Sequence, residues 1–166
     1  LLPVDVSAQN AFYPVSPCRI ADSRTAYANP QGFYVGPFDT GDTICYKNYG
    51  SGAFDISPQG GYQYGCYLPY MGSWDQEPYA FHVNIAAVPV RGSGHIRIYP
   101  SNYTAPNTAV LNWSASAGNI SNAVTSKSYA EWDPDTEDEF CLYIGGYAGG
   151  QVHIVMDVMG YYGPDY

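Results

Sequence analysis

Positive charge is the scarcest thing in this chain. Across 166 residues there are 6 Lys+Arg against 15 Asp+Glu, a formal net charge of -9, and only 13% of residues are charged. A phosphate backbone needs clustered cations to hold it, so nucleic acid is excluded as a partner. No apolar run approaches the roughly 18 residues of a membrane-crossing helix, so membrane insertion is not expected. The usual helix formers never build a 3.6-residue pattern. The G-x-S-x-G elbow of many serine hydrolases is missing. No two cysteines form the close C-x-x-C pair that zinc ligation favours, and no motif calls for a cofactor. Leu1-Leu2-Pro3 has neither the basic flank nor the apolar segment of a secretory leader, so the chain is expected to be a mature form whose leader has been removed.

What is abundant is equally informative. The chain has 18 Gly, 13 Pro and 18 Tyr, the profile of a turn-rich β protein long enough to bury one apolar core. Tyrosine combines a large contact area with a polar tip, which suits a surface that must stay soluble yet meet a partner. Tyrosines gather at Tyr46, Tyr49, Tyr62, Tyr64, Tyr67 and Tyr70, and again at Tyr161, Tyr162 and Tyr166. Four cysteines, Cys18, Cys45, Cys66 and Cys141, make an even count in a Lys-poor chain. That reads as two disulfides and a secreted, extracellular protein, with three connectivities open on spacing alone.

Strand periodicity supplies the architecture. In Gln151 to Tyr162, Val152, Ile154, Met156 and Val158 alternate with His153, Val155, Asp157 and Met159. Both faces carry apolar residues, which predicts a central strand. Tyr79 to Val90 alternates in the same way, and Arg91-Gly92-Ser93-Gly94 reads as a hairpin turn into His95 to Tyr99. Shorter strands are expected near Phe33 to Val35, Thr43 to Tyr46, Tyr62 to Tyr67, Ala109 to Ser114, Asn122 to Trp132 and Phe140 to Gly145. About ten short strands at near-regular spacing predict an all-β, antiparallel sandwich or barrel. Residues 1–15 read as an extended arm, with Leu2, Val4 and Val6 alternating against Pro3, Asp5 and Ser7 before a hinge and Phe12. Residues 16–166 then form a single β domain. Pro3 keeps the arm off any central position, so it is an edge strand or a strand lent to a neighbouring molecule.

The segment Tyr13 to Arg24, reading Y-P-V-S-P-C-R-I-A-D-S-R, resembles the opening of a family of secreted bacterial β-domains. Their signature runs [FY]-x-P-[VL]-x-P-C-R-[ILV]-x-D-[ST]-R, and Pro17 to Ile20 and Asp22 to Arg24 match it in place. Cys66-Tyr67-Leu68-Pro69, His82 to Ile85, Gly94 to Pro100 and Ala109 to Trp113 follow in the family's order. Val152 to Tyr162 matches its closing V-x-[LIV]-V-x-D-[VI]-x-G-[YF]-[FY]. Tyr67 stands where the family has Gly, and Cys45 and Cys141 are additional to its usual pair. The resemblance implies a sandwich or barrel, an extracellular location and no catalytic residues. It also implies the pairing Cys18–Cys66, leaving Cys45–Cys141. Closing loops of those lengths stabilises by about 4 and about 5 kcal/mol on the chain-entropy model.

Several side chains are candidates for chemistry. His82, His95 and His153 lie on or beside strands; with no nucleophile motif near them, a structural role is the expectation. His82 and His153 could meet across paired strands, but no third metal ligand accompanies them. The segment Asp133 to Glu139 holds five carboxylates, with Asp133, Asp135 and Glu137 as a weak calcium set out of register with an EF-hand. Asp22 and Arg24 are expected to form an ion pair that fixes the chain after Cys18. Asn102, Asn112 and Asn119 each open an N-x-[ST] sequon and are glycosylation candidates, with an inward-facing place in the L-N signature the alternative for Asn112. The favoured function is a non-catalytic structural protein, the self-assembling subunit of a cell-surface filament or coat whose partners are copies of itself. A carbohydrate-binding or adhesive module is the alternative, with glycans as ligand; a secreted hydrolase ranks last.

Overall fold

The dominant strand is the one whose alternation is clearest in the sequence, and it lies in the middle of a sheet. In the computed structural model, residues 10–25, 35–46, 56–61, 66, 78–127 and 140–164 are described. Nine strands run in order: β1 (Asn10–Asp22), β2 (Phe38–Asp39), β3 (Thr43–Tyr46), β4 (Ala80–Arg91), β5 (Ser93–Pro100), β6 (Leu111–Ser114), β7 (Ile120–Lys127), β8 (Phe140–Gly146) and β9 (Gln151–Pro164). One turn of 3-10 helix, Ser57–Gln59, is the only helical element among the described residues. None is long and apolar enough to cross a membrane.

All strand pairings are antiparallel and divide into two sheets. The first has the order β1-β9-β4-β7, with β2 also pairing β9; the second has the order β3-β8-β5-β6. Among the described residues each sheet therefore keeps two open edges, and the barrel alternative falls away in favour of a sandwich. β1, β4 and β9 are 13, 12 and 14 residues long; β4 has the length expected of Tyr79 to Val90, and β1 is one long strand where two short extended pieces were expected. β9 has room for its length because β1 and β4 flank it along nearly all of its course.

The core follows from a period of two on both sheets. Phe81, Val83, Ile85 and Ala87 of β4 and Val152, Ile154, Met156 and Val158 of β9 are all buried. They pack against Ile44, Ile96, Leu111, Trp113, Leu142 and Ile144 of the second sheet. Fully burying each large aliphatic side chain contributes about 1.5–3 kcal/mol. Tyr46, from the sequence's tyrosine-rich stretch, is a core residue stacked on Phe140 at 6.0 Å. The bulge between His82 and Val83 opposite Gly160 and Val158 gives β9 one extra residue, Met159. Tyr161 thereby comes round to pack on the core, and Tyr162 points the other way with Phe12.

The turn at Arg91 to Gly94 is not a hairpin. β4 belongs to the first sheet and β5 to the second, so the chain crosses between layers within three residues. Gly92 makes this possible with φ +72°, and its α-carbon comes so close to Gly150 that a Cβ would lie 2.9 Å from the Gly150 Cα. The same crossing occurs in reverse from β8 to β9. Val35 lies outside any strand and Cys66 lies in a turn; the remainder of the strands expected at Phe33 to Val35 and Tyr62 to Tyr67 falls outside the described residues.

Both disulfides implied by the resemblance are formed, Cys18–Cys66 and Cys45–Cys141, with Cα–Cα distances of 5.7 and 3.9 Å. The first ties edge strand β1 to the 62–78 region. The second joins directly opposed residues of β3 and β8. The boundary expected after Val15 coincides with no break, because β1 runs through it and pairs with β9 from Asn10↔Pro164 onward. Phe12 thus belongs to the domain's own sheet, while Leu2, Val4 and Val6 lie outside the described residues.

Replacing Gly92 by Ala should lower stability by about 2 kcal/mol, from the left-handed backbone and the clash with Gly150 together. Gly118, with φ +79° and nothing near its missing Cβ, isolates the backbone part, so Gly118→Ala should cost only about 1 kcal/mol. Urea midpoints at unchanged slope measure both.

Candidate functional site

The two ends of the sequence signature are brought side by side by the β1–β9 pairing, with Arg19 opposite Asp157 in the register. Both project from the outer face of the first sheet, because their neighbours Ile20 and Val158 point into the core. Arg19 donates from Nε to Asp157 Oδ1 at 2.5 Å and from Nη2 to Oδ2 at 3.2 Å, a bidentate fork. Its third nitrogen, Nη1, donates to Asp22 Oδ2 at 3.0 Å. Asp22 is only 5% exposed. It also accepts from the Arg24 backbone N–H at 3.1 Å, from Nε at 2.8 Å and from Nη2 at 2.7 Å. A carboxylate offers about four lone-pair positions, so this one is saturated. The expected Asp22–Arg24 pair is therefore present, embedded in a four-residue network that also includes Arg19 and Asp157.

Ser23 continues the lock. Its backbone N–H donates to the Ile154 carbonyl at 3.0 Å, and its Oγ accepts from the Ile154 N–H at 2.9 Å. His153 Nδ1 lies 3.2 Å from both the Ser23 Oγ and the Ser23 carbonyl oxygen. This is the Ser–His proximity that a hydrolase would need, but the hydroxyl is 1% exposed and already holds a backbone amide. An Oγ in that position has no path to an external electrophile, and what it does is fasten the end of β1 to β9. Gln59 completes the clamp from the far side, donating from Nε2 to the Ile20 carbonyl at 2.8 Å.

The other histidines lie apart. His82 pairs with Thr125 across β4 and β7, its Nδ1 3.1 Å from the threonine hydroxyl. His153 sits opposite Val88, six residues along β4 from His82. At about 3.3 Å per residue the two imidazoles are some 20 Å apart, so they do not meet across paired strands. His95 lies on the second sheet, where its Nε2 accepts from Arg97 Nε at 3.1 Å. The Arg97 guanidinium in turn lies over the Tyr143 ring, 5.2 Å from its centroid. The His95 ring crosses the backbone of Gly145, where any Cβ would overlap it. Burial, and then the neighbouring Arg97 charge, hold the His95 pKa below the ordinary imidazole value.

Among the described residues no three His, Cys, Asp or Glu side chains converge as a metal site. Asp133, Asp135 and Glu137 lie outside those residues. Asn102, Asn112 and Asn119 are all exposed. Asn112 points outward from β6 between buried Leu111 and Trp113, not inward, because the strand's alternation assigns those two neighbours to the core. Neither Arg19–Asp157 nor His95–Arg97–Tyr143 is among the pairs expected from the sequence. The signal for the second is the i, i+2 spacing of His95 and Arg97, which places both on one strand face. No family model matches the chain, and no match is found among curated proteins or solved structures.

The network makes a pH prediction. Hydrogen bonds from Arg24 hold the Asp22 carboxyl below its ordinary value of 3.8, burial opposing them. Its folded pKa being depressed, the stabilisation is fully present above that ordinary value and is lost as pH falls through the folded one. Asp22→Asn should destabilise by about 2 kcal/mol at pH 7. The gap to the parent should stay flat down to about pH 5 and narrow below about pH 4, as read from chemical denaturation across pH.

Proposed function

We propose that this chain is a non-catalytic extracellular structural protein, the self-assembling subunit of a cell-surface filament or coat. Two disulfides are compatible with an oxidising, extracellular compartment. The resemblance of Tyr13 to Arg24 and Val152 to Tyr162 to secreted bacterial β-domains points the same way. The observation that carries the proposal is the pair of edges that the described residues leave open on the first sheet.

At one edge, among the described residues, β1 pairs only with β9 over residues 10–18, and Pro14 and Pro17 remove two donors from it. Proline is tolerated on an edge and blunts it against an added strand. At the other edge, β7 has eight residues, lacks both Pro and Gly, and is largely exposed. It is the better acceptor. The alternating segment Leu2, Val4, Val6 precedes β1 directly in sequence. Laid beside β7 of the next copy, it would extend one sheet into the next by strand addition. Such a head-to-tail contact does not close on itself and propagates as a fibre.

A second reading, a carbohydrate-binding or adhesive module, is favoured by a separate observation. Phe12, 44% exposed, groups with Tyr162 at 5.0 Å and His82 at 6.0 Å on the outer face of the first sheet. Aromatic faces of that kind stack on sugar rings as readily as on protein.

Electron microscopy and sedimentation of the purified protein test the assembly. The parent should form filaments or sheets, and a chain lacking residues 1–8 should stay a folded monomer with both disulfides. Truncation stops short of Asn10 because β1 begins there. A parent that remains monomeric at high concentration contradicts the proposal, and polymers of the truncated chain contradict the role given to its first residues.

A further inference from the structure

The outer face of the second sheet carries a group of side chains that neither the clamp nor the assembly contact uses. The register places Thr43, Tyr143 and Arg97 in one row across β3, β8 and β5. His95 and Asn112 stand in the neighbouring row across β5 and β6. Strands lie about 4.8 Å apart, so the first row spans about 10 Å.

Arg97 is the unusual member. It is half-buried, and its only polar contact among the described residues is the bond from Nε to His95 Nε2. The remaining guanidinium N–H groups have no carboxylate and no other acceptor among the described residues. That sets it apart from Arg19 and Arg24, whose forks are filled by Asp22 and Asp157. A guanidinium held against a tyrosine face by a neutral imidazole is oriented before any ligand arrives, which lowers the entropy lost on binding. The position of its two supports is fixed in turn, because Gly145 leaves the His95 ring room to lie across β8.

We propose that Arg97, seated by His95 and Tyr143, is a binding site for a single carboxylate carried on an acidic sugar of the hexuronate type. The number of charges limits the ligand. The chain's net charge is -9, so a polyphosphate or a poly-acidic peptide would meet long-range repulsion that one unpartnered cation does not offset. An isolated carboxylate on an otherwise uncharged, hydroxyl-rich carrier meets little. Around Arg97 the face offers the hydroxyls of Thr43 and Tyr143 and the amide of Asn112, groups that pair with sugar hydroxyls, and no described acid lies in either row. The carboxylate would take the two Nη nitrogens as a bidentate pair. The site stands whether or not the chain polymerises.

The test is a titration of the protein, made without N-glycosylation so that Asn112 stays bare, with the methyl glycoside of galacturonic acid, which carries a single carboxylate. Calorimetry follows affinity and nitrogen-15 spectra follow the Arg97 Nε resonance. Binding should shift that resonance and weaken as salt rises. Its uncharged methyl ester should bind at least about tenfold more weakly, the loss expected when a charged hydrogen bond is removed. Arg97→Gln should reduce affinity for the acid to the level of the ester, and Arg97→Lys should recover only part of it, since an ammonium cannot make the fork. Arg91→Gln should change nothing. Variants are compared only with both disulfides intact by mass. Absence of binding by the parent, equal binding of acid and ester, or an unchanged affinity in Arg97→Gln would each overturn the site. A tripeptide bearing one glutamate that binds as tightly as the sugar would overturn the ligand class.

Discussion

The sandwich depends on the pairing of its first described strand with its last. β9 is central only if β1 covers one of its edges, and β1 reaches it from the far end of the sequence. That contact closes almost the whole chain into one loop, an entropic cost that grows slowly with length but must be met before any local gain. The molecule meets it with several interactions concentrated at one place. Bidentate Arg19 binds Asp157 across the strands, and Asp22 is saturated by two guanidinium groups and a backbone amide. Ser23 exchanges two hydrogen bonds with the backbone of Ile154. The Cys18–Cys66 disulfide holds the same strand one residue before Arg19.

This concentration explains how few cations the chain carries. Arg19 and Arg24 neutralise carboxylates that would otherwise be partly buried without counter-charge, a loss that typically destabilises by about 3–5 kcal/mol when the pair is deeply buried. Their forks are turned onto Asp22 and Asp157 on the outer face of the first sheet. Arg97 stands outside that economy because its imidazole and phenol neighbours orient it without neutralising it.

Much of the fold was legible because a period of two survives wherever a strand has one buried face. The alternations over residues 80–87 and 152–159 gave the faces of β4 and β9 correctly, and the bulge at Met159 reverses them for Tyr161 and Tyr162. What periodicity does not encode is which sheet a strand joins. Arg91 to Gly94 looks the same in sequence whether β5 folds back on β4 or crosses to the other layer, and only the close approach of Gly92 to Gly150 decides it. Long-range side-chain partners are hidden for the same reason. Arg19 and Asp157 are separated by 138 residues, and their facing positions depend on register. The local pair, Asp22 with Arg24, needed no register and was readable.

If the β1–β9 clamp is the constraint on which the fold rests, the two strands share one unfolding unit. Native-state hydrogen exchange tests this most directly, by comparing the backbone amides of residues 18–22 in β1 with those of residues 152–158 in β9 and 81–87 in β4. The account predicts that the slowest amides in all three segments open together, at the free energy found for global unfolding by denaturant. Exchange of the β1 amides at a far lower free energy, with β4 and β9 still protected, would show that β1 is an accessory edge and would contradict it.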